Sequence, residues 1–154
     1  ADGSVYEGAF SAGRFHGRGV YVWANGDKYT GQFRDDLMDG DGAYLRANGE
    51  SYAGQFSKNE RNGAGTYHWP GGDQYVGAFR ENEINGEGTY YHADGTKYVG
   101  QFLNGKKHGW GRLLAATGEF RQHWEQGQKI GEEKVPATAE SGRPQPVGTA
   151  VANQ

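Results

Sequence analysis

Apolar and small residues alternate with polar ones over short stretches of this chain, and the stretches return every 23 residues. Tyr6, Tyr29, Tyr52, Tyr75 and Tyr98 are each followed two positions later by glycine (Gly8, Gly31, Gly54, Gly77, Gly100). Two further on comes phenylalanine (Phe10, Phe33, Phe56, Phe79, Phe102). Side chains in an extended strand alternate between faces, so Tyr-x-Gly-x-Phe places its three marked residues on one face. Paired glycines follow, at Gly17/Gly19, Gly40/Gly42, Gly63/Gly65, Gly86/Gly88 and Gly109/Gly111, and lead to Tyr21, Tyr44, Tyr67, Tyr90 and, in the fifth copy, Leu113. Gly-x-Gly-x-Tyr thus predicts a returning strand with the same alternation. Between the two runs lie SAGRFH, RDDLMD, SKNERN, RENEIN and LNGKKH, whose third residues (Gly13, Asp36, Asn59, Asn82, Gly105) are types that tolerate positive φ. Units join through Asn25-Gly26, Asn48-Gly49, Gly71-Gly72, Asp94-Gly95 and Thr117-Gly118, most of them strong turn dipeptides. The pattern predicts an all-β fold, an elongated single ribbon of consecutive antiparallel β-hairpins. Its aligned glycines leave room for aromatic rings to lie flat over neighbouring backbone. With strands ~4.8 Å apart, the array spans about 50 Å.

The ends of the pattern set the domain organisation. DGSVY at the start matches DGTKY at 94–98, so the first residues read as the tail of an earlier unit. The chain opens without methionine, which leaves open whether it is a fragment of a longer protein. After Gly118 the spacing shortens by one, and Phe120, Trp124, Gly127 and Gly131 take the Tyr, Phe and two Gly slots of a degenerate capping copy. The array therefore covers 1–131. Residues 132–154 form a tail without periodicity that holds three of the four prolines, the composition of a flexible or partner-bound segment.

Composition follows from the repeat. Glycine supplies 28 of 154 residues, far above the typical ~7%, and twenty of the 28 fall in these columns. The formal charge of −3 argues against a general nucleic-acid binder, which shows a basic face. Cysteine is absent, which removes disulfides, thiolate zinc sites and a cysteine nucleophile. No apolar run approaches the ~18 residues of a membrane span.

YEGAFSAGRFHGRGVYVWANGDK (6–28) and YVGQFLNGKKHGWGRLLAATGE (98–119) resemble the MORN repeat, Tyr-x-Gly-x-Phe/Trp-x-x-Gly-x-x-His-Gly-x-Gly. The resemblance covers five full copies. Its histidine slot holds His16 and His108 but Asp39, Asn62 and Asn85 in the middle copies. It implies an elongated hairpin ribbon that scaffolds protein partners, often a helical or extended segment lying along a groove. It also implies a cytoplasmic place in cytoskeletal, ciliary or membrane-junction assemblies. Some members are proposed to bind phospholipids, and MORN arrays also flank kinase and methyltransferase domains, so a module of a larger enzyme is the third reading.

Catalytic and metal chemistry find no support. DGDG at 39–42 suggests calcium, but the next alternate residue is Ala43 where an EF-hand needs another oxygen ligand. The Gly-x-Gly pairs never gain the third glycine of a dinucleotide loop. The five histidines are spread over several columns, and no nucleophile elbow is present. No enzyme activity, metal or cofactor is expected of this chain itself.

Binding residues are sought on the hairpins instead. One turn column reads Phe15, Met38, Arg61, Ile84, Lys107, and its apolar members either pack locally or form a ledge for an amphipathic partner segment. Trp23 and Trp69 share a second column, with Tyr91 beside it, and are core or interface anchors. Trp110 has no sibling in the other turns. Basic residues cluster only at the array ends, Arg14 and Arg18 with His16, then Lys106, Lys107 and Arg112 with His108, as solvated turns or weak contacts for acidic lipid headgroups or acidic protein. The open sheet edges also permit a homodimer.

Overall fold

The computed structural model describes residues 2–137. Twelve strands follow one another: β1 (Val5–Ser11), β2 (Arg14–Val22), β3 (Lys28–Arg34), β4 (Leu37–Leu45), β5 (Ser51–Ser57), β6 (Glu60–His68), β7 (Gln74–Arg80), β8 (Glu83–Tyr91), β9 (Lys97–Leu103), β10 (Lys106–Ala115), β11 (Gly118–Glu125) and β12 (Gln128–Lys134). They form a single antiparallel sheet in strict chain order, so every hairpin pairs only with its chain neighbours. Among the described residues there is no second layer. The described residues contain no helix, and so none long and apolar enough to cross a membrane.

Three rows of side chains run across this sheet. Gly8 faces Gly19, Gly19 faces Gly31, and glycine continues to face glycine through Gly42, Gly54, Gly65, Gly77, Gly88 and Gly100 to Gly111. Beside it, tyrosine faces tyrosine from Tyr6 to Tyr98. Phenylalanines line the third row.

The glycine row is a channel, and the odd-strand tyrosines fill it. A Cβ on Gly42 would sit 2.3 Å from the Tyr29 hydroxyl oxygen and 2.4 Å from its ring, and one on Gly31 would sit 2.4 Å from the Gly42 Cα. Rings lie on bare backbone, and Tyr29, Tyr75 and Tyr98 become fully buried in a one-layer sheet. In the three middle units the hydroxyl finds the carbonyl three residues ahead: Tyr29 donates to Gln32 (2.7 Å), Tyr52 to Gln55 (2.8 Å) and Tyr75 to Ala78 (3.0 Å), whereas the buried Tyr98 hydroxyl has no such partner. Burial pushes the phenols of Tyr29, Tyr52 and Tyr75 up to about 12, so they remain donors. Each ring is also held edge-on by two phenylalanines. Tyr29 meets Phe33 of its own unit at 5.0 Å and Phe56 of the next at 5.1 Å.

The two ends of each hairpin use different turns. At the tips both central residues have positive φ: Asp35/Asp36 at 51° and 72°, Lys58/Asn59 at 49° and 73°, Glu81/Asn82 at 49° and 74°. These are two-residue turns whose twist matches that of the flanking strands. Only the second residue was legible as a positive-φ site. At the junctions Gly26 N–H donates to the Trp23 carbonyl (3.0 Å) and Trp23 N–H to that of Asp27 (2.9 Å), closing a three-residue loop with glycine at φ 99°.

Two expectations change. Of each glycine pair only the second lies under a ring; the first (Gly17, Gly40, Gly63, Gly86, Gly109) has φ between 76° and 105° and sits where the strand pairing is interrupted by a bulge. Gly127 keeps the tip-turn slot that Gly105 holds one unit earlier, at φ 85°. The glycine row's place in the cap is taken by Gln122, which faces Gly111, is buried, donates to Glu132 (2.7 Å) and accepts from the Trp124 indole (3.0 Å). The array also outruns its expected end at 131: β12 continues to Lys134, and Val135 N–H donates to the Glu119 carbonyl. Of the expected tail, 138–154 lies outside the described residues.

Gly42→Ala should therefore lower stability by about 1–3 kcal/mol or more, the usual cost of overpacking, because the obstacle is a fixed ring. Gly71→Ala, where nothing lies within 4 Å of the new methyl, should change little. Urea unfolding of the two variants compares them directly; equal midpoints would refute the ring-on-glycine constraint.

Candidate functional site

The aromatic face carries the site because its side chains are held at both hairpin ends. At the tips, each turn reaches back to the preceding hairpin. Asn59 N–H donates to the Met38 carbonyl (2.9 Å) while Asn59 Oδ1 accepts from Met38 N–H (2.8 Å). Asp36 does the same to Phe15 (3.0 and 2.8 Å), and Asn82 to Arg61 (3.0 and 2.9 Å). The third tip residue is thus a clasp between units as well as a positive-φ residue. This second role leaves no periodic trace, because it acts between residues 21 apart. Gly105 donates to the Ile84 carbonyl (2.8 Å) but has no side chain to return the bond.

At the junctions, carboxylates hold the even-strand tyrosines. Asp27 accepts from the Tyr44 hydroxyl (2.9 Å) and Ala47 N–H (2.8 Å); Asp73 accepts from Tyr90 and Ala93 N–H (both 2.8 Å); Glu50 accepts from Tyr67. The Ala47 amide first, then the Tyr44 hydroxyl, holds the Asp27 carboxyl below its ordinary range. For Asp73 the Tyr90 hydroxyl leads. Burial, then the neighbouring carboxylate, pushes Tyr44 and Tyr90 up to about 12. These tyrosines are fixed hydrogen-bond donors, not acids.

Between the two held edges runs a trough. Trp23 sits 4.6 Å from Tyr21 and 5.2 Å from Tyr44; Trp69 sits 4.6 Å from Tyr67 and 5.5 Å from Tyr90, itself 4.7 Å from His92. This half-buried ladder of rings is broken once, by Arg46. Two open cavities of about 250 Å³ each lie along the trough. Met38, Tyr44, Arg46, Phe56, Asn59, Arg61 and Asn82 line one, and the other, sharing Arg61 and Asn82, is bounded by Tyr67, Trp69, Phe79 and Ile84.

The nominated partner residues divide between faces. Phe15, Met38, Ile84, Trp23 and Trp69 share the aromatic face. Phe15 stacks on Tyr6 at 3.8 Å and Met38 is buried, so the turn column packs over the hairpins instead of standing out as a ledge. Ile84 and both tryptophans remain half-exposed. Tyr91 and Trp110 alternate onto the opposite face, Tyr91 near the Lys97 ammonium and Trp110 stacked on His123 at 4.4 Å. Along the middle of that face runs a row of small and β-branched residues, Val20, Thr30, Ala43, Ala53, Thr66, Val76, Thr89 and Val99, flanked by polar pairs such as Arg18 with Gln32, Asp41 with Gln55 and Glu87 with Gln101.

The basic residues do not form one patch. Lys107 lies on the aromatic face with its ammonium 4.4 Å from the Tyr98 ring centre and 4.5 Å from that of Trp124, and burial lowers its pKa. Arg112 pairs with Glu119 at 2.9 Å. Arg14, Arg18 and Lys106 stay exposed, the first two at one end of the sheet and the third at the other. Among the described residues no three His, Asp or Glu side chains gather into a metal-binding group.

A family model described as the MORN repeat matches residues 6–28, 29–51, 52–74, 75–97 and 98–120, with unit starts at the same five tyrosines. A search of the curated proteins finds no match.

Two outcomes follow from the held edges. Gly105→Asn has open space for its side chain and a φ of 82° that asparagine tolerates. It should supply the missing acceptor for Ile84 N–H and raise stability by about 0.5–1.5 kcal/mol, the net worth of one hydrogen bond; an unchanged or lowered melting temperature would refute the clasp. For Asp27 and Asp73, the folded pKa lies below the ordinary 3.8, so the stability they contribute is full above that value and declines as pH falls through and below it. Acid unfolding of Asp27→Asn/Asp73→Asn should therefore be flatter with pH below about 4 than that of the parent chain.

Proposed function

The chain belongs to the MORN-repeat family, and on that premise we propose that it is a non-catalytic adaptor that binds a protein segment along the aromatic trough. The observation that carries this reading is the half-exposed ladder Tyr21, Trp23, Tyr44, Trp69 and Tyr90, with Tyr67 buried among them, held rigid at both edges and uncovered by any second layer among the described residues. Rigid Trp and Tyr rings give large contact area at low entropic cost and are the side chains that most often anchor interfaces. A trough lying across consecutive hairpins suits a helical or extended segment rather than a small molecule, since its cavities are shallow and continuous with solvent. Its setting, by the family's habit, is a cytoplasmic cytoskeletal or ciliary assembly with several protein partners.

A peripheral tether to acidic lipids is the weaker reading. Lys107 is enclosed by rings, Arg112 is neutralised, and the remaining cations sit too far apart to act as the clustered bases such binding needs.

Benzoylphenylalanine placed at His92 on the aromatic face should crosslink one discrete partner in native extract, whereas the same group at Val76 on the opposite face should not. Adducts formed only from Val76, followed by mass spectrometry, would overturn the assignment of the face.

A further inference from the structure

The trough contains one place where two repeat columns depart from type together. In the junction column Trp23, Arg46, Trp69 and His92, the second unit carries arginine; in the turn column Phe15, Met38, Arg61 and Ile84, so does the third. The register brings the two departures onto opposite sides of one cavity of about 250 Å³. Arg61 lies over Tyr67 at 5.2 Å and over Tyr52 and Phe79 at 5.8 Å, and one of its terminal nitrogens donates to the Asn82 carbonyl (2.6 Å). Its Nε is buried without an acceptor.

Neither guanidinium has a carboxylate within 4.0 Å among the described residues. Glu50, the nearby acid of this junction, is engaged by the Tyr67 hydroxyl at one oxygen and the Asn48 amide at the other. The polar lining is completed by Asn59 and Asn82. Their carbonyl oxygens are used by the clasp bonds to Met38 and Arg61, which turns the two amide NH₂ groups into the free ends. The cavity's side-chain hydrogen-bonding capacity is thus almost wholly donor, with two like charges left close together and an unmet buried N–H. Burial, with a smaller contribution from Arg46, lowers the Arg61 pKa. Such an arrangement is costly alone and favourable once an anion joins it. Met38, Tyr44 and Phe56 supply apolar walls that fit a short aliphatic stem.

We propose that this notch is a specificity pocket that receives an aspartate or glutamate side chain of the docked protein segment, between Arg46 and Arg61. The inference rests on the trough being the docking surface and names the chemistry of what docks. In an otherwise aromatic trough, one obligatory acid sets the register of the bound segment, because it can lie against only one unit junction.

The test is selection of phage-displayed random dodecapeptides on the full chain, followed by affinity measurement on the synthetic winners. The variant Arg46→Trp/Arg61→Met replaces each arginine with its own column's residue, so the fold is kept; thermal melting checks this. Selected peptides should share one Asp or Glu at a constant spacing from apolar positions. Replacing that acid by Asn or Gln should weaken binding to the parent chain about 30-fold or more, the effect of unpairing a desolvated charge, and less than about threefold to the double variant. Peptides that lose binding in a folded Trp69→Ala chain but show no acidic position, or that bind the double variant with undiminished acid preference, would overturn the notch and leave the trough standing. Peptides indifferent to Trp69→Ala would overturn both.

Discussion

Every other feature of this protein depends on a tyrosine ring lying against backbone that has no Cβ. A one-layer sheet has no opposing layer to bury its apolar face, the usual requirement for a stable domain. Here the face is covered from within. Rings from the odd strands lie down into the glycine row and are fenced by phenylalanines of their own and the following unit. The close approach of Gly31, Gly42 and Tyr29 leaves no space for even a methyl group. Glycine's entropic cost on folding, up to about 1 kcal/mol each in a strand, is offset by burying a large ring at nearly every unit.

That constraint also makes the array modular. Each tyrosine touches only its own hairpin and an adjacent one, so stability spreads through nearest neighbours, as in other repeat architectures. The polar bonds obey the same rule. Clasps from Asp36, Asn59 and Asn82 reach one unit back at the tips, and Asp27, Glu50 and Asp73 reach one unit forward at the junctions. With both edges tied, the rings between them hold a fixed spacing. Gln122 stops the process: it fills the last place of the glycine row with a satisfied amide where a further tyrosine would otherwise lie.

The sites that depart from the repeat carry the individuality of the chain. Trp23 and Trp69 widen the apolar surface at two junctions, while Arg46 and Arg61 break it at a third. Column-keeping residues build the fold, and these few exceptions give the surface its individual shape and charge. Lys107 shows the limit of that rule. It also departs from an apolar column, yet Tyr98 and Trp124 enclose its charge and make it part of the packing.

Much of this was legible in the linear pattern. Period-two alternation and a 23-residue recurrence determine the hairpins, their chain order and the face on which Tyr, Gly and Phe meet, because strand geometry allows one assignment of inside and outside. Local composition likewise determines where the turns fall. What periodicity could not decide is which glycine of a pair lies under a ring and which makes a bulge, since both look alike in a column. Nor could it decide that Asn59 clasps Met38, that Trp110 stacks on His123, or that Arg46 and Arg61 meet. Those facts depend on bulges, on turn dihedrals and on contacts between neighbouring units. Only the folded sheet brings residues of different repeats within reach of one another, and the aromatic trough is made from such residues.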